Sequence, residues 1–482
     1  MEPLFYIPIT IFALYSLSIV IFLITDNRRP SATFAWMLLF YVFPVGGVVI
    51  YFLFGRDWKA FSRENRLAKQ TMGQDLTKNL LPLWSRQQLE IDKLKETGPL
   101  AYRKILELVS SNSQAPLTTN NSVEILQNAC QKYPRLIEDI EQAKHSIHLE
   151  YYIWASDKFT RMLREILIEK VKAGVEVRIL YDPIGSFTEL SPRYVWEMRR
   201  AGIKMYPYSP LYRLHTIGYR NHRKIAIIDG QIGYAGGLNI SQEQIDGPSG
   251  FSGWRDTHVR LAGEAVRLLQ SSFVTIWYNT TYEVLSDQAY FPPIHKTGRY
   301  LPVQILNSGP DSRWEAVKQL YFFMILAAED HVYIQSPFFI LDDSISEALK
   351  AAALAGIDVK VMVAPRGPGN QLPYWAGRTY IQEMAKAGVR VYFYQKGYFH
   401  PKTISIDGTI CCIGSANMDI RSFSINYEAN VVIYDPNTAE KLEHNFERDL
   451  EHCTEFGLEA YEDSNYFSRL RDSMARLFSP LL

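Results

Sequence analysis

The sequence has no charge surplus of either sign and very little cysteine, and each lack excludes something. Its 482 residues carry 51 Lys plus Arg against 51 Asp plus Glu, so the basic excess of a protein that grips nucleic acid by its phosphates is missing and no nucleic-acid partner is expected. The four cysteines, Cys130, Cys411, Cys412 and Cys453, form no CxxC and no Cys/His zinc spacing, which argues against a bound metal. Two of them are adjacent in an apolar strand pattern, and all four read as buried thiols on the cytosolic side. Charge is also missing locally: residues 4–25 and 32–54 contain no Lys, Arg, Asp or Glu. Each stretch exceeds the roughly 20 residues that cross a bilayer, so residues 1–55 are expected to form a transmembrane helical hairpin. A secretory signal fits poorly, because Glu2 is the only charge at the start and a second apolar run follows at once. Pro44, Gly46 and Gly47 predict a kinked or re-entrant second segment. Arg28 and Arg29 lie between the segments and Arg56, Lys59, Arg63, Arg66 and Lys69 after them, which places the bulk of the chain in the cytoplasm.

Residues 56–120 are polar with apolar punctuation and read as an amphipathic connector, either lying on the membrane surface or solvated. Beyond them strands and helices alternate, which is the α/β class. Residues 146–154 read as a strand, 158–174 as a helix stopped by Gly174, and 175–182 as a buried strand. The same order returns at 331–340, 344–356 and 357–365, and "RRAGIKMYPY" at 199–208 is echoed by "AKAGVRVYFY" at 385–394. The chain therefore reads as two copies of one α/β domain, residues 121–300 and 301–482, related by a pseudo-twofold.

Each copy carries the same chemical motif. "HRKIAIID" at 222–229 is matched by "HPKTISID" at 400–407, and each is followed by a Gly-rich stretch ending in Asn, at Asn239 and Asn417. His and Lys two apart on a strand put both side chains on one face. Asp-Gly then makes a hairpin turn, so Asp229 and Asp407 are turn formers or chemical groups. Glycines before each Asn let backbone approach a ligand. A doubled imidazole, ammonium and amide suits a phosphodiester: Lys224, Lys402, Asn239 and Asn417 hold its oxygens while His222 and His400 divide the proton work. Two imidazoles near pKa 6.5 in a basic site oppose each other's protonation, so one is neutral and can attack phosphorus while the other protonates the leaving oxygen. One metal ligand per strand beside a cation speaks against a divalent ion, and no cofactor is expected.

These are the HKD motifs of the phospholipase D superfamily, and the sequence resembles its bacterial cardiolipin synthases. The likeness rests on the motifs together with "RRPSATFAWMLLF", "PVGGVVIYFLFGR", "RNHRKIAIIDG", "GGLNI", "WRDTHVRLAG", "SANMDIRSFSINYEAN" and "ARLFSPLL", and it spans nearly the whole chain. It implies two phospholipase D-like α/β domains behind a membrane hairpin, in the plasma membrane of a bacterium. The implied reaction transfers a phosphatidyl group between two phosphatidylglycerols to give cardiolipin and glycerol, with no cofactor. The resemblance makes His222 the nucleophile and His400 the general acid and base. It assigns Lys224, Asp229, Lys402 and Asp407 to the catalytic set and Asn239, Asn417, Ser415 and Gly237 to the phosphate, and it sets Asp256 and Glu428 behind the histidines as orienting carboxylates. A membrane-bound hydrolase giving phosphatidate is the alternative within the superfamily, and a scaffold with a dead site the alternative outside it.

Overall fold

The computed structural model describes residues 2–25, 30–51, 60–113, 115–209 and 218–479. Met1–Ala60 and Ser209–Gly218 form one compact unit. In it, α1 (Glu2–Thr25) is followed by α2 (Pro30–Val42) and α3 (Pro44–Ile50). The break falls at Phe43, because a residue before proline is driven out of the helical region and Pro44 has no N–H to give. The expected kink in the second apolar stretch is thus an interruption. Leu23, Phe40 and Tyr51 pack together, and the Tyr15 hydroxyl donates to the Pro44 carbonyl at 2.9 Å. Among the described residues no helix is long and apolar enough to cross a membrane. Arg28, Arg29, Arg56 and Lys59, on which the orientation expectation rests, lie outside the described residues.

The second unit holds the remainder of the chain. The expected connector is helical: α4 (Ala60–Thr97) runs through Pro82, and α5 (Leu100–Ser113) follows. Tyr102, Ile105, Leu106 and Val109 of α5 are buried with Leu320, Met324 and Ile334 of the C-terminal half, so α5 packs onto that half's core.

The strands, in chain order, are β1 (Thr118–Gln127), β2 (Ser146–Tyr151), β3 (Glu176–Tyr181), β4 (Lys204–Pro207), β5 (Lys224–Ile228), β6 (Ile232–Gly236) and β7 (Thr257–Gly263) in the first half. The second half supplies β8 (Tyr300–Ser308), β9 (His331–Gln335), β10 (Asp358–Val363), β11 (Arg390–Tyr394), β12 (Thr403–Ile406), β13 (Ile410–Gly414), β14 (Glu428–Ile433) and β15 (Cys453–Glu455). Among the described residues they make one continuous sheet of order β15-β11-β10-β9-β12-β13-β14-β8-β1-β7-β6-β5-β2-β3-β4. Read outward from the β1–β8 seam, both halves have the same order for seven strands, as two copies related by a twofold through that seam must, and the second half adds β15 at its edge. The seam itself is antiparallel, with Thr118 opposite Val303.

Successive residues of a strand feed different cores, which is why these strands read as continuous apolar runs. Ile225 and Ile227 point into a central cluster with Val303, Ile413 and Val431 of the other half, while Ala226 and Ile228 face a cluster private to the first half. The shared central cluster fuses the two copies. Both Asp-Gly turns are of the hairpin kind: Asp229 and Gly230 sit at φ 51 and 63, Asp407 and Gly408 at 52 and 60. These left-handed pairs join β5 to β6 and β12 to β13.

Candidate active site

The two histidines are placed by a crossing of the halves that the motif spacing does not announce. His and Lys were expected on one strand, but each ladder begins late, at Lys224 in β5 and at Thr403 in β12. The residues just before leave their own sheet and pair with the opposite half. Asn221 bridges Tyr427, and the His222 N–H donates to the Tyr427 carbonyl at 3.0 Å. Symmetrically, Tyr398 and Phe399 pair with Trp254 and Arg255, and the His400 N–H donates to the Arg255 carbonyl at 2.8 Å. The residue after each docking carbonyl is a carboxylate. His222 Nδ1 therefore meets Glu428 Oε1 at 2.9 Å, and His400 Nδ1 meets Asp256 Oδ2 at 2.8 Å. Each half orients the other half's imidazole.

A carboxylate on Nδ1 fixes the tautomer: the proton sits on Nδ1 and Nε2 is left with its lone pair. Both rings are nearly enclosed, at 11% and 10% side-chain exposure. An aromatic edge holds each, Tyr152 at 4.8 Å from His222 and Trp254 at 5.1 Å from His400 between ring centres. Lys224 and Lys402 are buried and each donates to the carbonyl of its own motif histidine, at 2.6 and 2.5 Å.

Burial sets the electrostatics. It lowers His222, opposed by Glu428 and reinforced by Lys224 and Lys402. It drives His400 down to about 3, with Lys402 adding to the effect and Asp256 opposing it. Burial also lowers Lys402 to about 8 and Lys224 well below the usual lysine range. Burial alone would raise Glu428 and Asp256, but His222 and Lys224 on one, and Lys402 and His400 on the other, hold both below the ordinary carboxylate value. Burial thus disfavours the charged form of both imidazoles and of both lysines, a setting that an anion relieves. The charge of each lysine also reaches the histidine of the opposite half, so the two motifs share one electrostatic centre.

The remaining expected residues fall into two groups. Asn239 anchors its Oδ1 on the Ile153 N–H at 3.1 Å, which leaves its Nδ2 for a ligand. Asn417 Oδ1 is buried without a partner. Ser415 was assigned to the phosphate, but its hydroxyl donates to Glu428 at 2.5 Å. Gly237 likewise serves a carboxylate: a Cβ there would stand 2.0 Å from Asp256 Oδ1. Asp229 and Asp407, expected as turn formers or chemical groups, both bond backbone in the structure. Asp229 accepts the N–H groups of Lys144, His145 and Ser146 at 2.7 to 2.9 Å, and Asp407 those of Glu329, Asp330 and His331 at 2.9 Å. Three amide donors fill most of a carboxylate's roughly four acceptor positions, so these aspartates tie the hairpin turn to the start of the neighbouring strand.

Sequence reasoning missed Tyr152 and the cation Lys132. The latter is fully buried behind Asn239, 3.5 Å from its carbonyl and over the ring of Tyr151 at 4.7 Å. A lone lysine in a helix pattern gives no signal of burial. Among the described residues no cluster of His, Cys, Asp and Glu could hold a metal ion.

The family described as "Cardiolipin synthase, PLD-like domain" matches residues 136–251 and 321–450, and the "Phospholipase_D-nuclease N-terminal" family matches residues 10–56. The chain is 38% identical to a cardiolipin synthase of Alkalihalophilus pseudofirmus over 98% of its own length and 94% of that protein. It is 38% identical to the major cardiolipin synthase of Bacillus subtilis over 98% of each chain. Phosphatidylserine synthase of Haemophilus influenzae, at TM-score 0.61 and 12% identity over 79% of this chain and 100% of that one, shares the fold. By these matches, and with two half-sites that exchange their carboxylates around one centre, the chain belongs to the cardiolipin synthases of the phospholipase D-like family.

Proposed function

We propose that this protein transfers a phosphatidyl group from one phosphatidylglycerol to the glycerol hydroxyl of another, giving cardiolipin and free glycerol. The observation that carries the reading is the doubled His–carboxylate pair around shared lysines. Nε2 of one imidazole attacks phosphorus and a P–N bond forms. The second imidazole takes up a proton on Nε2 when the phosphodiester anion binds, and as the P–O bond to glycerol breaks the departing oxygen receives that proton. The second imidazole then accepts the hydroxyl proton of the incoming lipid. That lipid's oxygen bonds to phosphorus, and the electron pair of the P–N bond returns to the first imidazole. Lys224, Lys402, Asn239 and Asn417 hold the non-bridging oxygens through both steps. One phosphodiester replaces another, so no energy source is consumed.

The site lies in a membrane enzyme in this reading. The uncharged residues 4–25 and 32–54, helical over Glu2–Thr25 and again on both sides of Phe43, serve as a two-pass anchor with the catalytic unit on the cytoplasmic side. The test is product analysis of the full chain in vesicles of pure phosphatidylglycerol. Equal amounts of cardiolipin and glycerol are expected; phosphatidate without cardiolipin would mean that water, not lipid, is the acceptor.

A further inference from the structure

The helix Tyr466–Arg476 sits on the second half the wrong way round for a helix in water. At 3.6 residues per turn, Tyr466, Phe467, Leu470 and Met474 fall within about 100° of arc, and Leu477 and Phe478 follow just past the helix end. All six residues are exposed, by 42 to 79%. The face turned to the protein is instead polar and small, with Asp472 and Ala475 buried. A surface helix ordinarily buries its apolar stripe and shows its charges; this one does the reverse.

Specific contacts fix the reversal. The Asp472 carboxylate accepts from Arg471 Nε and Nη2 at 2.9 and 2.7 Å and from the Tyr461 hydroxyl at 3.3 Å. Arg476 pairs with Glu383 at 3.1 Å, and the guanidinium groups of Arg471 and Arg476 lie over the rings of Trp375 and Tyr380 at 4.7 and 4.3 Å. Trp375, Tyr380 and Glu383 belong to the helix Leu372–Lys386, which is held in the core of the second half through Ile381 and Met384. Turning the apolar stripe inward would break these contacts, so its exposure is built in. An exposed apolar face of this extent marks a contact with something apolar.

Charge says what that is. The helix carries Arg469, Arg471 and Arg476 against a single acid, the buried Asp472. Arg469 is exposed, and Arg471 and Arg476 keep 38% and 42% of their side chains in solvent. Arginines around an apolar face rich in Phe and Leu are the pattern of a helix that lies in the headgroup layer of an anionic bilayer. A second copy docked by the same face would bring like charges together.

We propose that the helix Tyr466–Arg476, with Leu477 and Phe478, is a membrane-surface contact: its apolar face enters the boundary between headgroups and acyl chains of an anionic phospholipid layer, and its arginines meet the phosphates. It gives the catalytic unit a hold on the membrane that is separate from the anchor of residues 4–54. The contact does not depend on the transferase reading, and its test reads binding rather than turnover.

The test places a nitroxide on Phe467→Cys or Leu477→Cys in the full chain, with Cys130, which is exposed rather than buried as the sequence suggested, replaced by serine. The chain is reconstituted in vesicles of phosphatidylglycerol or of phosphatidylcholine. Power saturation then compares collisions with oxygen, which dissolves in lipid, and with a water-soluble nickel chelate. Both labels should show an oxygen-to-nickel ratio severalfold higher in phosphatidylglycerol than in phosphatidylcholine. Arg469→Gln should narrow that difference and Arg469→Lys should keep it. If one labelled variant fails to fold, the other decides. A ratio equal in the two lipids, or unmoved by Arg469→Gln, overturns the contact. Dipolar broadening that disappears on dilution with unlabelled chain also overturns it, in favour of a second copy as the cover.

Discussion

The two half-sites perform the same task with unequal parts. His222 is oriented by a glutamate whose far oxygen takes the Ser415 hydroxyl; His400 is oriented by an aspartate whose carboxyl lies against Gly237. The longer acid goes with the serine and the shorter one with the glycine, so each half keeps its Nδ1 contact near 2.9 Å by a different division of space. The copies thus conserve the contact to the imidazole and not the residues that make it. Both histidines are lowered, first by burial, and both keep the same tautomer.

Removing the carboxylates should break the comparison most severely. Glu428→Gln and Asp256→Asn keep the shape but can present the wrong tautomer to Nδ1, and each should lower cardiolipin formation by about 10² to 10⁴. A loss confined to one of them, in assays of initial rate, would show that only one imidazole needs its partner. Next comes the space behind the acids. Gly237→Ala forces a methyl into the Asp256 carboxyl and should cost about 10- to 100-fold in rate, whereas Ser415→Ala removes one hydrogen bond and should cost about tenfold or less.

The acid limb of stability comes third. His148 and His400 are lowered to about 3, first by burial and then by Arg178 and Lys402 respectively. Between about pH 3 and 6.5 the unfolded chain therefore binds more protons than the folded one, so stability rises with pH through this window and falls as acid is added. Denaturant melts at about pH 5 and 7.5 should show the lower midpoint at pH 5, and a histidine-free shift would sink the assignment: His148→Gln should flatten the slope. The smallest effect belongs to the turn aspartates. Asp229→Asn should lower unfolding stability by about 1 to 3 kcal/mol through its amide contacts, with the rate per folded molecule close to wild type.

Much of this architecture was legible because it is local. The strand at 146–151, the helix at 158–172 and the strand at 176–181 repeat as 331–335, 343–354 and 358–363, and the Asp-Gly pairs are turns because few other dipeptides tolerate two left-handed residues. What escaped depends on distance in the chain. Glu428 lies 206 positions from His222 and Asp256 144 from His400, and no periodicity tells which half supplies which acid. Both carboxylates were identifiable as residues, but not their exchange. The same holds for α5, whose amphipathic face shows that it is covered but not by which core. Asp229 and Asp407 were ambiguous, since a turn aspartate and a catalytic one share the same letter, and the sequence does not show the three amide donors on each.

The proposed transfer passes through one covalent species. Rapid quenching of the full chain turning over phosphate-labelled phosphatidylglycerol, followed by digestion under alkaline conditions, reads it directly. The expected result is a phosphatidyl group on a peptide containing one of the two motif histidines, forming and decaying as fast as cardiolipin appears, and absent when either His222 or His400 is replaced by alanine. Cardiolipin produced at full rate with no label on either histidine at any time would contradict it.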